Sequence, residues 1–149
     1  MRLATCFLFV LTSACGLGTK APLATCPDDA ETLNFQLTEI GYLERDVKPQ
    51  VFTDDEAWQA YVGEQEGSDT AFGGTIDFPS VDFATQVVFT NSWVDGGCED
   101  SPTYAVCGDG DAVTAYSEPG HDDDCDGYFP QVDVLVVDRG EATTFEWSP

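Results

Sequence analysis

The spacing of apolar positions changes period along the chain, and the changes mark out its elements. Leu33, Phe35 and Leu37 alternate with polar neighbours before Ile40-Gly41-Tyr42, which predicts a first strand between Leu33 and Leu43. Gln50-Val51-Phe52 is a second short extended piece. Ala57, Trp58, Tyr61 and Val62 then recur at helical spacing, so one short amphipathic helix is expected to end near Gly63. Thr53-Asp54-Asp55-Glu56 reads as its capping box. Thr53 stands at the N-cap, Glu56 at the third helical position, and two aspartates complement the helix dipole.

Residues 64–80 are rich in glycine and polar side chains and read as a long loop. Beyond them the period becomes two. Gln86 to Val94 (QVVFTNSWV) is rich in β-branched and aromatic residues and predicts a strand ended by Asp95-Gly96-Gly97. Thr103 to Cys107 and Ala112 to Ser117 form two more, joined by the turn Gly108-Asp109-Gly110-Asp111. After a loop from Glu118 to Gly127, QVDVLVVD alternates from Gln131 to Asp138. Arg139-Gly140 turns the chain into a last short strand, Ala142 to Trp147. The expected class is α+β: a mostly antiparallel sheet meander with one short helix.

The first seventeen residues, MRLATCFLFVLTSACGL, follow a different logic. Arg2 precedes an apolar run over residues 3–11, long enough for a signal-peptide core and too short to span a bilayer. Thr12-Ser13-Ala14-Cys15-Gly16 then resembles a bacterial lipobox, with Cys15 the lipidated first residue of the mature protein. Thr12 stands where leucine is usual, and Thr12 with Ala14 also satisfies the rule for an ordinary secretory cleavage. The expected organisation is a signal peptide over 1–14, a lipid-anchored tether over 15–32 and one domain over 33–149, stationed in the bacterial cell envelope at the outer membrane or periplasmic face. Plain secretion is the alternative.

Charge narrows the partners. All 28 acidic residues lie from Asp28 onward, against Lys20, Arg45, Lys48 and Arg139, and the formal charge of −23 loses a further positive charge with Arg2. Such a surface repels nucleic acid phosphates and anionic headgroups, so the membrane is reached through the lipid alone. It suits a cation or a basic partner, and equally a general acidic bias that keeps a protein soluble.

Cys6 leaves with the signal, and Cys15 takes the lipid. Cys26, Cys98, Cys107 and Cys125 remain, an even number in an exported chain, and predict two disulfides; no CxxC spacing supports the zinc alternative. If the strands at 86–94, 103–107 and 112–117 form an up-down-up meander, Cys98 and Cys125 share one end of the sheet. Cys107 then lies at the other end, within reach of Cys26. The favoured pairs are therefore Cys98–Cys125 and Cys26–Cys107, with Cys98–Cys107 the main rival.

Candidate chemistry is sparse. With His121 the one histidine and no GxSxG, HExxH, GxxxxGK[ST] or strand-borne GxGxxG, no catalytic residues are assigned, and the chain is read as non-enzymatic. No cofactor is required. One stretch has cation-binding spacing. Asp122, Asp124 and Asp126 fall at positions 1, 3 and 5 of a loop with Gly127 at 6 and Asp133 at 12, the pattern of an EF-hand calcium loop. Flanking helices are lacking and position 12 is Asp rather than Glu, so an acidic surface turn would look the same. Trp58 and Trp93 are expected in the core, while Trp147 either caps the sheet or lies exposed.

Leu43 to Asp46, the element Thr53-Asp54-Asp55-Glu56-Ala57-Trp58, Val81-Asp82-Phe83 leading into Gln86-Val87-Val88-Phe89, and Tyr128-Phe129-Pro130 before Val132 to Val137 together resemble the PrcB C-terminal-like domain. This is a small domain of bacterial lipoproteins associated with a protease complex. The resemblance covers roughly residues 40–140 and departs from the family where Gly96-Gly97-Cys98 and Tyr104 are spread apart. It implies a protein–protein binding module that docks to or stabilises an exported protease complex, with nothing catalytic to carry over. The alternative is a calcium-dependent adhesion or structural module of the cell surface, resting on Asp122 to Gly127.

Overall fold

The computed structural model describes residues 23–41, 48–66, 77–95, 101–120 and 129–148. Eight strands and one helix follow in the order β1 (Glu31–Leu33), β2 (Phe35–Ile40), β3 (Gln50–Phe52), α1 (Asp55–Glu66), β4 (Gln86–Asp95), β5 (Thr103–Asp109), β6 (Ala112–Glu118), β7 (Phe129–Asp138) and β8 (Thr144–Ser148). They form two four-stranded sheets, β1-β5-β6-β8 and β2-β7-β4-β3. All ladders are antiparallel except the parallel pairing of β6 with β8. The class is the expected one, a mostly antiparallel β protein with a single short helix.

Three layers result from the two-residue period of the central strands. On β4 and β7, Val87, Phe89, Leu135 and Val137 turn toward the other sheet, where Val106, Val113 and Ala115 meet them. The alternate set, Val88, Val132, Val134 and Val136, packs on the opposite face with Ile40, Phe52, Trp58 and Tyr61. Buried on both faces, β4 and β7 read as near-continuous apolar runs, which is why VDVLVV carries so few polar residues. Each fully buried Val or Leu contributes about 1.5–3 kcal/mol.

The helix starts one residue later than the capping box predicts. Asp54 is the N-cap, its Oδ1 accepting from the Ala57 N–H at 2.9 Å. Asp55 and Glu56 occupy the first turn, and the helix runs on past Gly63 to Glu66. It is seated by an aromatic cluster: the Trp58 ring lies 5.3 Å from Phe52, 5.6 Å from Tyr61 and 5.6 Å from Phe78.

The sheets also meet along both long edges. Only Asn34 separates β1 from β2, so one extended segment leaves the first sheet and joins the second. On the other side Trp147 of β8 donates its indole N–H to the Gln50 carbonyl of β3 at 3.1 Å and packs edge-on against Phe89. Trp147 is thus a clasp between sheets. The β5–β6 hairpin turns at Gly110-Asp111, where Gly110 has φ +61°, a left-handed value that a side chain would strain.

One expected neighbour changes. The three-strand meander considered for residues 86–117 puts β4 beside β5, yet β4 pairs with β7 and β3 in the second sheet while β5 pairs with β1 and β6. The apolar register explains this. β4 needs cover on both faces, and only the position between β7 and β3, with α1 outside, supplies it.

Cys26 and Cys107 are bonded, with 5.6 Å between their Cα atoms. Cys107 follows Val106 and therefore points away from the inter-sheet core, toward the segment before β1. Ala24 N–H donates to Thr103 Oγ1 at 2.9 Å on the same side. The expected tether over 15–32 therefore belongs to the fold from Cys26 onward, with Glu31–Leu33 already in a sheet. Cys15, Cys98 and Cys125 lie outside the described residues.

Candidate functional site at one end of the inter-sheet core

Asp133 interrupts the apolar run of β7. By alternation with Leu135 and Val137 it faces the other sheet, and it is 1 % exposed. Its cross-strand neighbours are Glu39 on β2 and Asn91 on β4. Tyr104, reaching over from β5, donates its hydroxyl hydrogen to Asp133 Oδ2, and Asn91 Nδ2 donates to the Tyr104 oxygen at 3.2 Å. The donors thus run Asn91 to Tyr104 to Asp133, all polarised toward the carboxylate. Trp93 also directs its indole N–H at Asp133, although neither Trp93 Nε1 nor Asp133 Oδ1 has a partner at hydrogen-bond geometry.

This cluster closes the end of the core where β2, β4 and β6 finish and β5 and β7 begin. The other end is pinned by Asp82 and Arg139. Asp82 accepts from the Ala84 and Gln86 backbone N–H groups, and Arg139 donates to the Phe83 carbonyl and lies over the Phe145 ring.

Electrostatics at the cluster follow from burial. Loss of water pushes the Asp133 carboxyl from 3.8 up to about 6, the hydroxyl donated by Tyr104 holds it back, the Glu39 charge raises it further and Trp93 offsets part of that rise. Burial and the Asp133 charge together drive the Tyr104 phenol far above its ordinary range, so it keeps the proton that it donates to Asp133 while its oxygen accepts from Asn91. On the helix side, burial lifts Tyr61 to about 12 against a lowering contact from Thr90.

A raised carboxyl has a definite sign in stability. Between about pH 4 and 6 the folded state holds a proton on Asp133 that the unfolded chain has released. The stabilisation is therefore full below about pH 4 and lost as pH rises through about 6, on the order of 3 kcal/mol in all. Asn at this position still accepts from Tyr104 and never ionises. Urea unfolding of Asp133→Asn and wild type should therefore agree within ~1 kcal/mol at pH 4 and diverge by roughly 2–3 kcal/mol at pH 7, the variant being the more stable. Parallel curves across that range would contradict the assignment.

Two expectations about chemistry meet this geometry. Asp133, expected as the twelfth residue of a calcium loop, sits inside a strand with Oδ2 engaged by Tyr104; Asp122, Asp124 and Asp126 lie outside the described residues, as does His121. Among the described residues no three Asp, Glu, His or Cys side chains converge as a metal set would. Trp93, expected as core, is only half-buried at the polar end. The Tyr104–Asn91 partnership was not anticipated. Its signal was nonetheless present, because Asp133 is the single acid within VDVLVV and has the inward parity.

No family model, no curated protein and no solved structure matches this chain.

Proposed function

We propose that this protein is a non-enzymatic binding module of the bacterial cell envelope, tethered by lipid at Cys15 and holding a partner protein close to the membrane. The observation that carries the reading is the Cys26–Cys107 bridge. Disulfides persist in oxidising compartments, which agrees with the export signal at residues 1–14. Ten residues lie between Cys15 and Cys26, making eleven Cα-to-Cα steps. Even fully extended they span about 35–40 Å, so the bridge keeps the first sheet within a short reach of the anchor. The partner class drawn from the family resemblance is an exported protease complex.

Intact-mass analysis tests the anchor. The mature chain should begin at Cys15 and carry acyl chains, each buried CH₂ adding about 0.8 kcal/mol to membrane binding. Cys15→Ala should leave the membrane fraction. An unmodified N-terminus on membrane-derived protein would reject the anchor. Reciprocal co-purification from detergent-solubilised membranes tests the partner, and its failure in both directions would reject the binding reading.

A further inference from the structure

The segment from Glu31 to Ile40 changes sheets midway, and the change leaves an opening. Its first half pairs with β5, the last pair being Leu33 with Val106. From Phe35 it pairs with β7 instead. Beyond that point β2 has no strand on its other side among the described residues. The outer edge of β2 therefore runs on without a neighbouring strand past the Leu33–Val106 pair, while Tyr104 reaches between the sheets to Asp133 behind it.

The side chains along this opening differ from those of a finished core. Phe35 packs in the inter-sheet core, and by alternation Leu37 and Glu39 share its face. Leu37 lies opposite Leu135, which is fully buried, yet Leu37 is itself 41 % exposed. Two residues on, Glu39 is exposed and lies near enough to raise both Asp133 and Tyr104. The edge of β2 thus offers a backbone ladder without a neighbour among the described residues, an apolar contact at Leu37 and, at the two-residue spacing of a strand, the exposed carboxylate of Glu39.

We propose that this edge binds an extended segment of a partner protein that adds a strand to β2, placing an apolar side chain on Leu37 and a lysine or arginine two residues away against Glu39. Backbone hydrogen bonds to the edge supply affinity and the alternate side chains supply selectivity. Charge complementarity selects the occupant. A chain of net charge −23 repels an acidic strand and equally a second copy of itself, while a basic residue is attracted to Glu39. The inference rests on the binding-module reading and names its site and ligand.

The test uses the mature protein and an octapeptide of alternating valine and lysine, followed by calorimetry and amide hydrogen exchange. The peptide should protect the amides of residues 35–40. Alternating valine and glutamate, or backbone N-methylation of the lysine peptide, should abolish binding. Glu39→Lys should weaken it roughly tenfold, the equivalent of about 1.4 kcal/mol. Glu146→Lys makes the same charge change at an exposed position on β8 and should alter it less than about twofold. Leu37→Ser, at an exposed site that leaves the fold intact by circular dichroism, should also weaken it.

Absent protection at 35–40, undiminished binding of the N-methylated peptide, equal losses in Glu39→Lys and Glu146→Lys, or self-association through β2 would each overturn the proposal. If a native partner still co-purifies in both directions with Glu39→Lys, the binding-module reading survives and the β2 edge is not its site. If the peptide binds at β2 but no native partner is found, the β2 site stands and that reading fails.

Discussion

Replacing Cys26 and Cys107 together by alanine is expected to lower stability by about 4–5 kcal/mol, the largest single effect in the molecule. The bridge spans a sequence separation of 81, so in the unfolded chain it closes a loop holding more than half of the protein. In the chain-entropy account, the cost of that closure is removed from folding and grows with the logarithm of loop length. Domains of this size have total stabilities of about 5–15 kcal/mol, so the variant would sit near the edge of folding. The bridge also secures β1, which is only three residues long and at the border of its sheet. Urea unfolding of the double variant, with the oxidised wild type as reference, should show a lower midpoint. Exchange of the amides in residues 24–33 should rise further than the global loss requires. A change below about 1 kcal/mol would show that the N-terminal segment docks without its covalent tie.

Trp58→Ala is expected to cost about 3–5 kcal/mol, with damage concentrated on one layer. Trp58 is 2 % exposed and touches Phe52, Tyr61 and Phe78, so its removal takes the central member from the aromatic cluster. Tyr61 and Val62 pack on the same cluster but leave the centre to Trp58. The helix is a twelve-residue element, too short to persist by its own propensity, and its stability derives from packing on the second sheet. Exchange should therefore accelerate across residues 55–66 toward local opening, while Leu135 and its neighbours on β7 open only with the whole domain. Trp58→Phe keeps an aromatic ring in the cluster and should recover more than half of the loss. Uniform acceleration in both layers would mean that helix and sheets open as one unit.

Much of the secondary structure was legible because its signal is local. The period-two runs around Gln86 to Val94 and Gln131 to Asp138 lie within strands β4 and β7, and Gln50 to Phe52 coincides with β3. Trp58 and Tyr61 at helical spacing marked the face of α1 that is buried. The cap was displaced by one residue: Asp54 takes the N-cap expected of Thr53, because its Oδ1 is the atom that accepts from the Ala57 N–H. The terminal strand was visible, but the clasp made by Trp147 was not, since its acceptor is the carbonyl of Gln50, 97 residues away.

Along the chain, periodicity and turn chemistry determined which residues form strands and where the helix lies. Which strand lies beside which was decided only in three dimensions. A strand apolar on both faces can be satisfied by several neighbours, and the choice depends on how all the layers close at once. That choice separated β4 from β5, carried the segment Glu31 to Ile40 from one sheet to the other, and left the outer edge of β2 unpaired among the described residues. The same closure turned Asp133 from a loop ligand by spacing into a buried carboxylate by position. Its alternation pointed it inward, but only the tertiary arrangement brought Tyr104, Asn91 and Glu39 to it from three other strands. Contacts at such sequence distances leave no local trace, because each residue is locally at home in its own strand.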